Sequence, residues 1–411
     1  MSVEDQRQNN KGRKVSIIKM LYVGIDVSKH KHDCFIMNAE GEVLTDVFTI
    51  QNSQGGFMEL YRRIKLLSPK PSPENTKVGL EATGHYSDNL IRFLRKIGLP
   101  PVILNPLRVN LYRKGQSLRK TKTDKSDARF IARMLATESF KPHSQLSYHS
   151  EELKSLTRHR HRMVKIRSMY KVSYDRLRNI VFPELEGFIK GHVQVTELKL
   201  LLELPTAEAI ASCHLTRLTN LVKMYSHGRH GKDWAIDLKE LAKTSIGSVS
   251  PAKSLELRQT IRQIISLGKE IDLIEVEIKA LVDGSGTSLM TIPGIGYAFA
   301  AIIIAEIGDI TRFATPDKLQ AFAGLDPTAY QSGQFTGQRD VMVKRGSTYL
   351  RWALLQAART VSQFDPTFGE YLDRKLTSGK HYKSAMGHVA KKLIRVIFKL
   401  MNTGEVYVAK A

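Results

Sequence analysis

Residues 21–29 read Leu-Tyr-Val-Gly-Ile-Asp-Val-Ser-Lys. The apolar, β-favouring run predicts a strand over 21–27, and Asp26 interrupts it with a charge. An ionised carboxylate in a half-buried strand is costly unless it is paired or binds a cation. Asp26 is therefore a candidate for chemistry. Two further β-rich runs follow at 33–37 and 43–50, the second after a turn-like stretch at 38–41, which predicts an antiparallel three-stranded meander. The pattern then changes: a helix over 56–67, a Ser/Pro-rich loop over 68–75, a strand over 77–81, a helix over 87–97 and a strand over 101–104. A meander followed by strand–helix alternation predicts a mixed sheet with helices packed on it.

Other acids join Asp26. Glu81 ends the fourth β-like run, and Asp124 and Asp127, three residues apart, share one face of a helix that starts there. Each alone also suits a cap, a turn or a loop ion pair. Acids at a strand centre, a neighbouring strand end and a helix start can converge on one site. Their like charges oppose mutual ionisation unless a cation is present. Hard oxygen ligands select magnesium, with manganese as the substitute, and such ions act on phosphodiesters.

Charge narrows the partner. The 411 residues carry 63 Lys+Arg against 40 Asp+Glu, a formal net charge of +23. A polyanion is the simplest compensation, nucleic acid ahead of an anionic membrane surface. Arg108, Arg113, Lys114, Arg119, Lys120 and Lys122 form one basic tract beside the acids, and Arg158, Arg162 and Lys165 belong to a second. Both read as phosphate contacts. Two cysteines, Cys34 and Cys213, give no disulfide framework and no cysteine-based zinc site, which fits a reducing cytoplasm. No run is long enough to span a bilayer, and residues 1–20 read as a basic disordered arm rather than a signal peptide.

The middle, 150–285, is helical. Leu156, Met163, Tyr170 and Leu177 recur every seven residues with Ile166 and Ile180 filling part of a second stripe, and Leu257, Ile261, Ile264, Ile271, Ile274, Ile278 and Leu281 repeat in steps near three and four. Such stripes predict long amphipathic helices or an antiparallel coiled coil. His159, His161, His227 and His230 lack zinc-type companions and read as polar surface. The last region, 286–404, opens with residues 292–296, Ile-Pro-Gly-Ile-Gly, like the hairpin of helix-hairpin-helix DNA binders. It carries Ser332 in a Gly/Ser/Gln-rich loop, with Lys344, Arg345 and Arg351 beyond it, and ends in helices over 348–362 and 385–401.

The order of residues 24–29, 81–84 and 123–128 resembles the amino-terminal domain of the DEDD insertion-sequence transposases of the one-hundred-and-ten family, relatives of the pilin-gene inverting recombinases. Residues 292–296 and 330–346 resemble that family's carboxy-terminal domain. The resemblance implies a fold of class α/β plus α: a ribonuclease-H-like (RuvC-like) domain over 21–149, a coiled-coil region over 150–285 and a helical transposase domain over 286–404. It implies that Asp26, Glu81, Asp124 and Asp127 bind magnesium, that Ser332 attacks DNA, and that a structured bridge RNA selects target and donor DNA. It also implies a homo-oligomer, dimer or tetramer, acting at the nucleoid of a bacterial or archaeal cell. Two other functions fit the residues alone: a junction-resolving, magnesium-dependent endonuclease with no covalent intermediate, and a non-catalytic architectural binder.

Overall fold

The computed structural model describes residues 20–81, 85–116, 124–140, 148–189, 194–327, 331–332, 335–336 and 342–409. The chain divides into two compact units, 1–145 and 146–411.

In the first unit, β1 (Leu21–Val27), β2 (Lys31–Asn38) and β3 (Val43–Gln51) form the expected antiparallel meander. β4 (Thr76–Glu81) then pairs parallel to β1, and β5 (Val102–Leu104) parallel to β4, giving the order β3-β2-β1-β4-β5. Strand alternation sends the side chains to two cores. Val23, Ile25, Cys34 and Ile36 face helices α1 (Gln54–Leu67) and α2 (Asp88–Lys96), through Phe57, Leu60, Leu90 and Leu94. Tyr22, Phe35 and Met37 face α3 (Pro106–Gln116) and α4 (Asp124–Thr137), through Val109, Ala128, Ile131 and Leu135. Ser53 starts α1, its Oγ accepting from the Gly56 amide at 3.3 Å. A mixed sheet covered by helices on both faces is consistent with a ribonuclease-H-like core.

The second unit is built on two 34-residue helices, α5 (Tyr148–Val181) and a later partner. Between them lie the short helices α6 (Leu185–Phe188), α7 (Val195–Glu203), α8 (Ala207–Ser212), α9 (Leu215–Tyr225) and α10 (Lys232–Lys243); the partner is α11 (Pro251–Gly284). Ion pairs Arg160–Glu275 and Arg176–Glu256 fix the pair as antiparallel, since one number falls as the other rises. The short helices cover one end of the pair, burying Tyr174, Leu177, Leu257 and Ile261. The other end packs Leu153, Ile278 and Val282 against α12 (Tyr297–Ile307) and the terminal helices α14 (Thr348–Phe364) and α16 (Tyr382–Thr403). α13 (Pro316–Ala323) and α15 (Pro366–Thr377) complete the unit.

The stripe expected on α5 is met in part: Leu177 is buried, and Leu156, Tyr170 and Ile180 pack half-buried against the two cores. Leu153, Thr157, Tyr174, Leu177 and Val181 are buried, while Ile166 is 43% exposed. A strict seven-residue repeat drifts around a straight helix, and α5 meets a different neighbour at each end. The stripe on α11 is buried as expected at Leu257, Ile261, Ile264, Ile271 and Ile278.

Candidate active site

The last paired positions of the parallel strands β1 and β4 are Ile25 and Leu80, so Asp26 and Glu81 come next at neighbouring strand ends. Both lie two residues beyond a glycine on the same face. A Cβ on Gly24 would stand 2.1 Å from the Ala128 carbonyl oxygen, and one on Gly79 would stand 2.6 Å from Leu135 Cδ1. That face is therefore the one α4 crosses. α4 begins at Asp124, and Asp127, next to the Ala128 contact, is buried and accepts from Arg113 Nη1 at 3.4 Å. The fold thus brings Asp26, Glu81 and the start of α4 to one side of the sheet.

Asp33, which the sequence reading passed over, belongs with them. It sits opposite Asp26 in the antiparallel register, and such pairs share a face. It is 6% exposed and accepts from Thr49 Oγ1 at 2.5 Å. It stands at the polar start of its strand, behind Lys31 and His32, so the local pattern did not mark it as it marked Asp26. Among the described residues, no group of three or more His, Cys, Asp or Glu stands ready to hold an ion; the Asp124 side chain is outside that set. A hard divalent cation nevertheless suits carboxylates crowded on one face, since it relieves their repulsion. Cys34, buried on the opposite face, is inert by comparison: burial first, then the charge of Asp33, pushes its thiol up.

In the second unit, Ser332 lies in the two-residue strand β6 (Gln331–Ser332), opposite Phe335 of β7 (Phe335–Thr336). Tyr330 and Gly333 of the same motif fall outside the described residues. A stem closes below this hairpin. Val343 donates its amide to the Asp326 carbonyl at 2.9 Å, Lys344 to Gly324 at 3.2 Å and Ser347 to Phe322 at 2.9 Å, and Pro327 bridges to Met342. Gly346 turns the chain at φ +108°, where a Cβ would stand 2.0 Å from the Phe322 carbonyl oxygen. Arg351 ties the stem, donating to the carbonyls of Lys344 at 3.0 Å and Ala323 at 3.4 Å.

Beneath the stem lies a buried ion pair that sequence reading also missed. Glu306 of α12, 2% exposed, accepts from Arg158 Nε at 2.6 Å, Arg158 Nη2 at 3.0 Å and Ser347 Oγ at 2.8 Å. Ser347 in turn caps α14. Burial alone would raise the carboxyl's proton affinity, but these bonds and the charge of Lys154 outweigh it and hold the group below its ordinary value. Glu306 is embedded in the apolar run of α12, so nothing in the local pattern revealed its partners.

Two family models match the chain, a transposase model of the DEDD IS110 type over residues 23–183 and one described as the IS116/IS110/IS902 transposase family over 286–373. The chain belongs to the IS110/IS116 transposase family. It is similar to the pilin gene-inverting protein of Moraxella bovis, 26% identical over 92% of this chain and 95% of that one. The insertion element IS900 42 kDa protein of Mycobacterium paratuberculosis is 24% identical over 94% and 97% of the two chains. An insertion element IS110 protein of Streptomyces coelicolor is 31% identical over a shorter stretch, 33% of each chain. This transposase is accordingly an enzyme of DNA recombination, one that cleaves and transfers DNA strands.

The basic residues expected to meet nucleic acid divide in two. Lys114, Arg162, Lys165, Lys344 and Arg345 of the transposase are exposed. Arg108 is paired with Glu138, Arg113 with Asp127 and Arg158 with Glu306, and Arg351 is engaged by the stem. Arg119, Lys120 and Lys122 lie outside the described residues. Of the histidines, His161 packs edge-on against Trp352 at 4.6 Å, and His230 stacks on Trp234 at 4.8 Å. Among the described residues, no helix is long and apolar enough to cross a membrane.

Proposed function

We propose that this transposase excises and inserts an insertion sequence by magnesium-dependent strand cleavage and rejoining, with Ser332 as nucleophile and a structured guide RNA selecting target and donor DNA. The observation that carries the reading is the placement of Asp26 and Glu81 at adjacent parallel strand ends on the face crossed by α4, whose first turn holds Asp124 and Asp127. These four acids would hold magnesium or manganese, which when bound supplies charge neutralisation and polarises the phosphodiester.

The Ser332 hydroxyl is a poor nucleophile until it gives up its proton. Its oxygen then forms a bond to phosphorus as the bond to the leaving deoxyribose oxygen breaks, and that oxygen takes a proton. The resulting phosphoserine ester keeps the bond energy needed for rejoining. Arg351, Gly346 and the Glu306–Ser347 contact hold the stem of the hairpin that carries this serine. Exposed Lys114, Arg162, Lys165, Lys344 and Arg345 bind backbone phosphates of DNA and guide RNA. A homo-oligomer of two or four copies is supported by the exposed Ile166, Met169 and Val172 on α5.

The test is Asp26→Ala. It should abolish magnesium-dependent cleavage and leave nucleic-acid affinity within about threefold, because affinity comes from phosphates neutralised by Lys and Arg. Cleavage surviving in Asp26→Ala would remove the acid cluster from the reaction. Guide use is tested by depleting co-purified RNA, which should remove target selectivity.

A further inference from the structure

We propose that the corner between α15 and α16 is a contact surface for the phosphate backbone of duplex DNA. The inference rests on the transposase reading for its substrate class and adds a surface outside both basic tracts.

α16 spans 22 residues without an acid. Its apolar face is spent on the core through Val389, Ala390, Leu393, Ile394 and Ile397, which leaves the basic residues the outer side. Among the described residues, Arg374, Lys375, Lys380, Lys383 and Lys391 form no ion pair; Asp317 and Glu405 are taken by Arg395 and Lys399, and Glu370 and Asp373 of α15 leave these five cations in excess at the corner. Basic side chains gather in space. Arg374 and Lys375 sit 5.8 and 5.2 Å from the Tyr371 ring centroid, with Lys392 at 4.9 Å on the same ring. Lys375, Lys380 and Lys391 converge on His388, where burial and then these three charges hold the imidazole below its ordinary value.

Such crowding is unfavourable in the free protein and is relieved by a polyanion. Lys383 and Lys391 are eight residues apart, about 12 Å along a helix, a distance over which duplex DNA presents several phosphates. Both helices are packed on the core, so the charges form a fixed array suited to a stiff duplex. The carboxy-terminal family model ends at residue 373, just before this corner.

The experiment compares full-length protein with a variant carrying Lys375→Gln, Lys380→Gln, Lys383→Gln and Lys391→Gln, and with the matching four Lys→Arg changes. Binding to a duplex of random sequence is measured against salt. Each lost phosphate contact lowers the slope of log affinity on log salt by about 0.9, so the Gln set should lower it by about 2 to 4 and the Arg set should restore it. A change below about 1, with the helical circular dichroism intact, overturns the surface. An RNA hairpin of equal length forms the second arm, and a larger loss there overturns the assignment to DNA. Cleavage by the unsubstituted protein is scored in parallel. A missing slope effect with cleavage intact defeats the surface alone, and a slope effect without cleavage defeats only the catalytic reading.

Discussion

Replacing Glu306 by Gln removes one charge from the site that joins α5, α12 and the cap of α14. The Glu306 side chain is 1% exposed and receives three hydrogen bonds, two of them from Arg158. Gln keeps one acceptor oxygen and turns an amide NH2 toward a guanidinium, so at least one charge-assisted bond is lost, worth about 1.5–3 kcal/mol. Breaking a fully buried pair costs about 3–5 kcal/mol. Arg158 is 37% exposed and can recover part of its hydration, which places the expected loss near 3 kcal/mol, the low end of that range. At about 2–4 °C per kcal/mol for a unit of this size, the melting temperature should fall by roughly 6–12 °C. Tryptophan emission isolates the transition, because both tryptophans, Trp234 and Trp352, lie in the second unit. The sign with pH follows from the depressed carboxyl: its contribution is complete above the unfolded value of 4.5 and is lost as pH falls through the lower native value. The gap between wild type and Glu306→Gln should therefore close in acid. A loss below about 1 kcal/mol at pH 7, or a gap that persists in acid, would refute the reasoning. Pairing Glu306→Leu with Arg158→Met should recover most of the stability, since no charge is then stranded.

Gly24→Val should destabilise the first unit by more than the ~1–3 kcal/mol of ordinary overpacking, because its Cβ meets backbone of α4 at 2.1 Å; a urea titration read by circular dichroism checks this. Arg351→Ala frees two stem carbonyls and should lower the rate of strand transfer at least tenfold while duplex affinity changes little, measured by single-turnover kinetics beside a binding titration. Arg351→Lys should rescue in part, since both bonds come from one nitrogen, Nη1, which an ammonium replaces in kind on a shorter stem. Cys34 should resist thiol reagents in the folded protein and react once the first unit unfolds, as its buried, protonated state implies.

The sheet was legible because its signals are local. β-favouring runs placed β1 to β3, and the Ser/Pro-rich loop over 68–75 separated β4 from the helix before it. The acids on it were legible because a charge inside an apolar strand stands out. Asp33 follows Lys31 and His32 at the polar start of its strand, and its relation to Asp26 is one of register, which a single strand does not disclose. On α5 the seven-residue stripe located Leu177 and the half-buried Leu156, Tyr170 and Ile180 but not the exposed Ile166, since burial there depends on different packing partners at its two ends. Arg158 and Arg351 looked like phosphate contacts, but Glu306 lies 148 residues from Arg158 in the chain, and the Arg351 carbonyl partners are backbone groups that composition does not reveal. The cations of α15 and α16 went unremarked because they are spaced among apolar residues that supply the core.

The most direct measurement of the central claim is a trapped strand-cleavage reaction with magnesium, resolved on a denaturing protein gel with labelled DNA. Wild-type protein should carry covalently bound DNA, Ser332→Ala should carry none and leave the substrate uncut, and Asp26→Ala should likewise form no adduct. Cleaved DNA with no protein attached, produced equally by wild type and Ser332→Ala, would contradict the serine mechanism and return the enzyme to hydrolysis by water.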